Sequence, residues 1–370
     1  MNSRERFSAY CEREEVDRYF RWNPGFWPTT LKGWRKEGLN IDFDPEKYGR
    51  DLDEYFGFDK MVWMPQEIAG ACICPFAPRF DEKIIEQDQN CRIIQDGDGI
   101  IKKVFENNED ASMPQFLQFP VKDRATWEKI KPRLELNEEL RFRNWGQLKR
   151  EYGEEGREWP LATTLCGTFM LARNLLGDEK LFYTFFDDPE LIHDIEHRWV
   201  NLNKAIFTRI ARGMDLDLIV IDEDMAYKSG PLISPKLFRQ FILPYYKKLI
   251  SYLKNIGIKN IWVDSDGNLQ ELIPLFLEGG ATGIFPFEVQ AGNDVRKIHS
   301  DFPDKFMIVG GIDKRALSKD YGAIEQEVDR VMEYFKERRG YIPTLDHTVP
   351  PDVPLKNFQY YFEYLKQYDK

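Results

Sequence analysis

The stretch NIWVDSDGN, residues 260–268, places two carboxyl groups at the end of an apolar run. Asp264 and Asp266 are separated by one serine, and residues two apart on a β-strand point to the same side of it. If the run is a strand, both carboxyl groups face one small volume. Clustered acids raise one another's pKa, so some of them are expected to stay protonated at neutral pH.

Acidic residues also follow other apolar runs in the second half of the chain. In α/β barrels the C-terminal ends of the strands carry the active site, so these side chains are expected to converge on one acidic mouth. Helix capping is the alternative interpretation, since aspartate often caps the helix after a strand. Five consecutive strands that end in acid exceed what capping requires. The set is Asp222, Glu223, Asp224, Asp264, Asp266, Glu288, Asp313 and Asp346, with His347 after the last acid and Tyr227 near the first three.

The alternation of elements predicts the scaffold that positions these residues. From about residue 160, short apolar runs alternate with longer amphipathic stretches, which indicates parallel strands joined by right-handed crossovers. Six such units, with further strands near 18–22 and 61–67, predict an eight-stranded α/β (TIM) barrel. We expect a single domain, residues 1–370, with a helical and irregular cover over 1–60 and the barrel over 61–370.

Three local patterns are informative. IIQDGDGIIKKV has turn residues between apolar runs and predicts a β-hairpin inserted in the barrel. A long helix is predicted with Ser234 as N-cap, Pro235 as its first residue and Gly257 at its end. HDIEH, residues 193–197, matches a metallopeptidase pattern, but the barrel prediction places it on a surface helix outside the mouth.

Composition excludes several classes of function. The net charge of −11 over 370 residues argues against a nucleic-acid or anionic-membrane partner, because phosphate binding needs clustered Lys and Arg. The N-terminus lacks the apolar core of a signal peptide, and no window approaches a membrane span, so a cytoplasmic protein is expected. The five cysteines do not form a disulfide framework, and Cys72 and Cys74 are interpreted as buried apolar side chains.

Several segments, taken in order, resemble the uroporphyrinogen decarboxylase superfamily. They are SRERFSAYCEREEVDR, TTLCGTFMLARNLLGDEKLFYTFFDDPELIHDI, IDEDMAYKSGPLISPKLFRQFILPYYKKLI, DSDGNLQELIPLFLEGGATGIFPFEV, VGGIDKRAL and VPPDVPLKNFQYYFEYL. The resemblance implies an α/β barrel and either decarboxylation of uroporphyrinogen or methyl transfer to or from corrinoid proteins. The decarboxylases carry an Arg-Gln-Ala-Gly-Arg motif, whereas DRYFRWNPGFW has only Arg18 and Arg21. The acidic mouth also opposes an octacarboxylate, so the methyltransferase branch is favoured.

In the methylcobamide:coenzyme M enzymes of this superfamily, the strand that resembles IWVDSDGN ends in a His-x-Cys pair, and a later Cys completes a zinc site. By this resemblance, the ligand positions are occupied here by Asp264, Asp266 and His347, and a divalent metal is expected there, zinc by resemblance. Two carboxylates and an imidazole form a harder site, suited to an oxygen ligand. The corrinoid-binding Asp-x-His-x-x-Gly motif is absent, so the corrinoid is expected on a partner protein.

The resulting hypothesis is a corrinoid-dependent methyltransferase that acts on a small methylated, methoxylated compound. The catalytic residues are expected to be Asp222, Glu223 and Asp224, and the substrate-binding residues Tyr227, Glu288, Asp313 and Asp346. One alternative is a decarboxylase of a uroporphyrinogen-like or other organic acid, which would need an arginine in the mouth. The other is a non-catalytic barrel that binds a small polyol or amine. A homodimer is compatible with the sequence.

Overall fold

The structure, a computed structural model, describes residues 1–41, 50–64, 75–105 and 114–369. Cys72 and Cys74 lie outside these ranges, as do residues 65–67 of one predicted strand. The cysteines within the described ranges, Cys11, Cys91 and Cys166, are free thiols.

Seven parallel strands form the central sheet of the described chain. Their order is β1-β6-β7-β10-β11-β12-β13, which follows the sequence and leaves room for a helix after most strands. This arrangement is a curled, TIM-barrel-like α/β sheet. The strands are β1 Val62–Trp63, β6 Leu161–Cys166, β7 Leu218–Asp222, β10 Ile261–Asp264, β11 Gly283–Phe285, β12 Met307–Val309 and β13 Tyr341–Ile342.

Residues 18–22, predicted as a strand, form none. Asp59 holds this segment instead, because its carboxylate accepts hydrogen bonds from Arg18 Nη1 (2.6 Å) and from the backbone N–H of Arg21 (2.8 Å). A parallel bridge between Phe26 and Val349 lies further along the chain. The prediction of an eighth strand at this position was therefore wrong.

Fifteen α-helices are present in the described ranges, and none of them combines the length and apolar composition needed to cross a membrane. They are α1 Ser3–Glu12, α2 Pro28–Lys36, α3 Arg50–Phe56, α4 Arg124–Ile130, α5 Glu138–Arg141, α6 Trp145–Tyr152, α7 Thr168–Leu176, α8 Asp178–Asp187, α9 Pro189–Ala211, α10 Pro235–Leu237, α11 Leu243–Asn255, α12 Ile273–Gly279, α13 Val295–Asp301, α14 Tyr321–Phe335 and α15 Leu355–Leu365.

The helix predicted after Ser234 is present but interrupted. Ser234 Oγ accepts a hydrogen bond from the N–H of Leu237 (3.3 Å), as expected of an N-cap. A π-helical turn, Phe238–Ile242, separates α10 from α11. Pro244 follows this turn and has no N–H to donate to the preceding turn, so the regular helical ladder cannot run through it. The helix ends just before Gly257, which has a φ of +99°.

The predicted hairpin belongs to a separate antiparallel sheet. Its strands are β2 Lys83–Gln87, β3 Cys91–Gln95, β4 Ile101–Phe105 and β5 Gln115–Gln118, paired in that order. Asp96 Oδ1 stabilises the turn between β3 and β4 by accepting hydrogen bonds from the N–H groups of Asp98 and Ile100, both 3.0 Å. The prediction of a hairpin over this segment is confirmed. The remaining strands of the described residues, β8 Ala226–Tyr227 and β9 Gly230–Pro231, form a two-stranded antiparallel sheet.

Trp262 fills the inside of the curled sheet. Its strand neighbour on β11 is Gly283, where a Cβ atom would lie 2.4 Å from Cδ1 of the indole. Phe7 of α1 packs against Trp262, with ring centroids 5.6 Å apart. The first helix thus packs into the same core as the strands. Asp264 and Phe285, two places after Trp262 and Gly283, lie one layer closer to the carboxyl ends of the strands.

Candidate active site

Two of the predicted acids lie side by side at the ends of their strands. Asp222 ends β7, Asp264 ends β10, and the two are paired neighbours in the sheet. Phe285 at the end of β11 is the other neighbour of Asp264. All three line a cavity of about 270 Å³. The other residues that line it are Pro24, Met170, Asp224, Ser265, Asp266, Pro286, His347 and Thr348.

Burial and mutual repulsion raise the pKa of both paired carboxyl groups. Burial, with the charges of Asp224 and Asp266, raises the pKa of Asp222 to about 6. Burial, and then the charge of Asp222, raises the pKa of Asp264 well above its usual range. A carboxyl group that remains protonated near neutral pH can donate its proton to a substrate oxygen.

Asp266 and His347, both predicted as metal ligands, lie in contact. His347 Nε2 is 3.3 Å from Asp266 Oδ2, and this hydrogen bond raises the pKa of the imidazole. Glu288 joins them, since one ligand atom from each of the three lies within 4.8 Å of the other two. Within the described chain, Asp264 is outside this group. The structure therefore brings Asp266 and His347 together with Glu288, which was predicted to bind substrate.

Lys314 places a positive charge beside this group. Its Nζ lies 3.6 Å from Oε1 of Glu288 and 3.7 Å from Oδ1 of Asp346. Oε2 of Glu288 accepts a hydrogen bond from the N–H of Gly267 (3.0 Å). Asp346, predicted to bind substrate, is buried and accepts the N–H groups of Val289 (2.9 Å) and Lys314 (3.0 Å). Its carboxylate thus joins two loops beside the cavity.

Asp224 stands at the rim of the cavity with an arginine. Its side chain is 44% exposed, and its φ of +35° is one that residues other than glycine rarely adopt. Its Oδ2 lies 3.1 Å from Nη1 of Arg173, whose Nε donates to Asp178 (2.5 Å). Burial raises the pKa of Asp224, and the charge of Arg173 opposes that rise.

Like Glu288 and Asp346, three further predicted residues do not line this cavity. Glu223 is fully buried. Asp313 is bound by Arg315, with Nη2 to Oδ2 at 2.7 Å; burial acts to raise the pKa of Asp313, but the bonds to Arg315 outweigh it and lower that pKa. Tyr227 has 55% of its surface exposed, and its carbonyl accepts the N–H of Asn268 (2.9 Å).

Sequence reasoning did not single out Lys314, Arg173 or Met170. Lys314 directly follows Asp313, and the other two lie in α7 after β6. Their places beside the acids depend on contacts between different βα loops, and no local spacing encodes such contacts.

The donor set of Asp266, Glu288 and His347 fits a divalent metal ion. Three protein ligands leave coordination positions open, as catalytic metal sites do. Carboxylates and one imidazole favour a harder cation than a thiolate set does. Lys314 would compete with the ion for Glu288, so the ion would displace a weak contact at 3.6 Å.

A TIM-barrel-like parallel sheet with an acidic cavity at the carboxyl ends of its strands is the arrangement in which α/β-barrel enzymes place their active sites. The family model of uroporphyrinogen decarboxylase (URO-D) matches residues 106–368, and the chain belongs to this family. The family resemblance found in the sequence is thereby confirmed.

Relatives of two kinds are similar to the chain. The methylcobamide:CoM methyltransferase MtbA of Methanosarcina acetivorans is 24% identical over 204 residues, which cover 55% of this chain and 57% of that protein. A uroporphyrinogen decarboxylase of Geobacter metallireducens is 30% identical over 129 residues, 35% of this chain and 36% of that protein. The chain thus spans from about a third to just over half the length of these relatives.

A solved structure described as a methyltransferase from Methanosarcina mazei has a TM-score of 0.66 to this chain. It is 16% identical in sequence, and the superposition covers 100% of this chain and 99% of that one. At this identity the likeness shows the fold.

Proposed function

We propose that the protein is a corrinoid-dependent methyltransferase that moves a methyl group from a small methoxylated compound to a corrinoid protein. The observation that carries this proposal is the pair of carboxyl groups of Asp222 and Asp264, which line one cavity and whose pKa values are raised, that of Asp222 to about 6 and that of Asp264 well above its usual range. Removal of a methyl group from an ether leaves an alkoxide or phenoxide, which must be protonated or bound by a Lewis acid.

The residues of this chain would act on the leaving oxygen. When the bond between oxygen and methyl carbon breaks, the oxygen keeps the electron pair and takes the proton of Asp264 or Asp222. A divalent ion at Asp266, Glu288 and His347 would supply a Lewis acid for the same oxygen. A reduced corrinoid on the partner protein would supply the nucleophile that accepts the methyl group.

The other walls of the cavity suit a compact substrate. Met170, Phe285 and Pro286 add apolar surface to the cavity beside the acids, and a volume of about 270 Å³ is at the lower end of small-molecule pockets. Apolar walls exclude water, which strengthens the interaction of an acid with the oxygen. A single-ring methoxy compound matches this space better than a tetrapyrrole.

Arg173 supports a second candidate function, decarboxylation of a small organic acid. Its guanidinium is at the rim with Asp224 and could hold a substrate carboxylate in the bidentate manner typical of arginine. The family also contains decarboxylases, so this candidate fits the family membership. Release of carbon dioxide without methyl transfer would distinguish it.

The proposed function is tested by a methyl-transfer assay. The purified protein is incubated with reduced cobalamin and a panel of methoxylated aromatic and aliphatic compounds, and formation of methylcobalamin is followed by its absorption spectrum. Asp264→Asn removes the proton donor while preserving shape, and we expect it to lower kcat by about 10²- to 10⁴-fold.

Asp301→Asn serves as the matched control, because Asp301 is exposed at the end of α13 and pairs with Lys297. Its rate is expected to equal that of the unaltered protein. Absence of methyl transfer from the whole panel, with carbon dioxide released from an acid, would reject the methyltransferase in favour of the decarboxylase.

A further inference from the structure

Glu223 is buried between β7 and the helix that follows β6. Its Oε1 accepts hydrogen bonds from the hydroxyl of Tyr246 (2.6 Å) and the backbone N–H of Thr168 (3.0 Å). Its Oε2 accepts the backbone N–H of Met170 (3.2 Å). Thr168 and Met170 belong to the first turn of α7, whose N–H groups have no partner within the helix. The carboxylate therefore fixes the position of that turn.

The same helix supplies part of the cavity. Met170 lines it, and Arg173, one turn later, binds Asp224 at the rim. Gly167 precedes the helix, and a Cβ atom there would lie 2.3 Å from Cδ of Glu223. The chain has no room for a side chain at this position, so the carboxylate lies directly against the start of α7.

A second carboxyl group, Glu196 of α9, lies behind Glu223. Glu196 is fully buried, and neither of its oxygens has a hydrogen-bond partner among the described residues. Its motif was expected on a surface helix; the helix is present, but Glu196 faces inward. Two ionised carboxylates buried away from water would cost much free energy, so Glu196 and Glu223 together are expected to carry one proton.

The hydrogen bonds decide which member keeps the proton. Burial raises the pKa of Glu196 well above its usual range, and the charge of Glu223 raises it further. Burial also raises the pKa of Glu223, but the bonds from Tyr246, Met170 and Thr168 offset part of the rise and hold it at about 7. Glu223, with three donors, is the better place for the charge.

We propose that Glu223 is a positioning residue for the cavity: its carboxylate, backed by a neutral Glu196, anchors α7 so that Met170 and Arg173 are held in place. This inference rests on the proposed function only for its effect on turnover. The anchoring itself can be measured without a substrate.

The test compares Glu223→Gln with Glu196→Gln by hydrogen–deuterium exchange of the full-length protein. Glutamine at 223 keeps the size but turns an N–H₂ group toward groups that donate hydrogen bonds. We expect amide exchange over residues 167–173 to be at least about tenfold faster, with other regions unchanged. Glu196→Gln should alter exchange less than about twofold, because a neutral amide replaces a neutral acid.

Kinetics with the methoxy compounds provide the second readout. Glu223→Gln should raise KM by about tenfold and change kcat little, since Glu223 does not line the cavity. Combining it with Arg173→Lys should give no further rise beyond the larger single effect, because both act through one helix. Tyr246→Phe removes one hydrogen bond to Glu223 and should raise KM by about threefold with little change in kcat.

Unchanged exchange over 167–173, or equal acceleration throughout the chain, would overturn the proposal. So would a loss of kcat at constant KM, which would indicate a catalytic role for Glu223. If no variant transfers methyl groups but exchange changes as expected, the proposed function fails and the positioning role stands.

Discussion

Asp222 and Asp264 differ from the other strand-end acids in what their carboxyl groups contact. Asp346 accepts backbone N–H groups, and Asp313 is bound by Arg315. Among the described residues, neither Asp222 nor Asp264 has a side-chain hydrogen-bond partner, and both line the cavity. Unpaired acids in a cavity cost stability and are the residues available for chemistry.

A substitution at Asp222 should reveal this cost. Its pKa in the folded protein is about 6, against an ordinary 3.8, so the folded state binds the proton more tightly and loses stability as pH rises through this range. Asp222→Asn should therefore stabilise the protein at about pH 8, by at most about 3 kcal/mol, and change stability little at about pH 4. Urea unfolding at both pH values measures the difference, and equal effects would contradict the raised pKa.

A second substitution tests the metal hypothesis. His347→Gln removes the imidazole from the group with Asp266 and Glu288, and we expect it to lower divalent-metal affinity by at least about tenfold. Elemental analysis and zinc titration of the purified protein measure this. His193→Gln is the control, because that histidine contacts Tyr245 in another part of the molecule. Equal metal content in the unaltered protein and in both variants would show that any ion binds elsewhere.

The sequence predicted where acids occur better than where they point. Asp264, Asp266 and His347 follow strands as expected, and the cavity contains all three. Adjacent strand residues face opposite sides, so Glu223 was wrongly grouped with its neighbour Asp222 as a cavity residue, and only the contacts with α7 show what its side chain meets.

At the scale of the strands, Gly283 and Trp262 set the shape of the sheet interior. The indole occupies the space that a side chain at position 283 would need, and this places Asp264 and Phe285 at the level of the cavity. Larger residues cannot be inserted in a packed core without displacement of their neighbours.

Gly283→Ala should therefore destabilise the protein by about 1 to 3 kcal/mol. Gly33→Ala is the matched control, since no atom lies within 4 Å of a Cβ added there in α2, and alanine in a helix is favoured by about 0.5 to 1 kcal/mol. Thermal and denaturant unfolding of both variants test the contrast. Similar changes in the two variants would show that the indole can move aside.

The strands of the second half were predictable because each is a continuous apolar run between turn signals. The strand predicted near 18–22 is absent, because the segment resembles the others in pattern while its hydrogen bonds go to a side chain, Asp59. The π-helical turn at Phe238–Ile242 also depends on packing that periodicity does not show.

At the scale of the whole molecule, Asp59 joins the N-terminal segment to the rest. Its buried carboxylate binds the guanidinium groups of Arg6 and Arg18 and the hydroxyl of Ser3 (3.2 Å). These contacts hold α1, and thereby Phe7, beneath the sheet. Removal of one partner from a buried ion pair leaves the other charge uncompensated.

Asp59→Ala is expected to cost about 3 to 5 kcal/mol of unfolding free energy. Asp17→Ala, which removes a carboxylate that also binds Arg6 but is 41% exposed, should cost about 1 kcal/mol or less. Denaturant unfolding compares the two. If Asp59→Ala loses no more unfolding free energy than Asp17→Ala, water compensates the charges of Arg6 and Arg18 in the variant.

Trp262 and Phe7 beneath the cavity have a consequence for the order of events in a turnover. The cavity therefore has its entrance on the side away from these rings, where the side chains of Asp224 and Asp266 are 44% and 43% exposed. Under the proposed function, a protein that delivers a corrinoid would cover that entrance, so the small compound would have to arrive before it and the demethylated product would leave after it. The exchange of partner proteins at the entrance would then limit how fast the cycle can run.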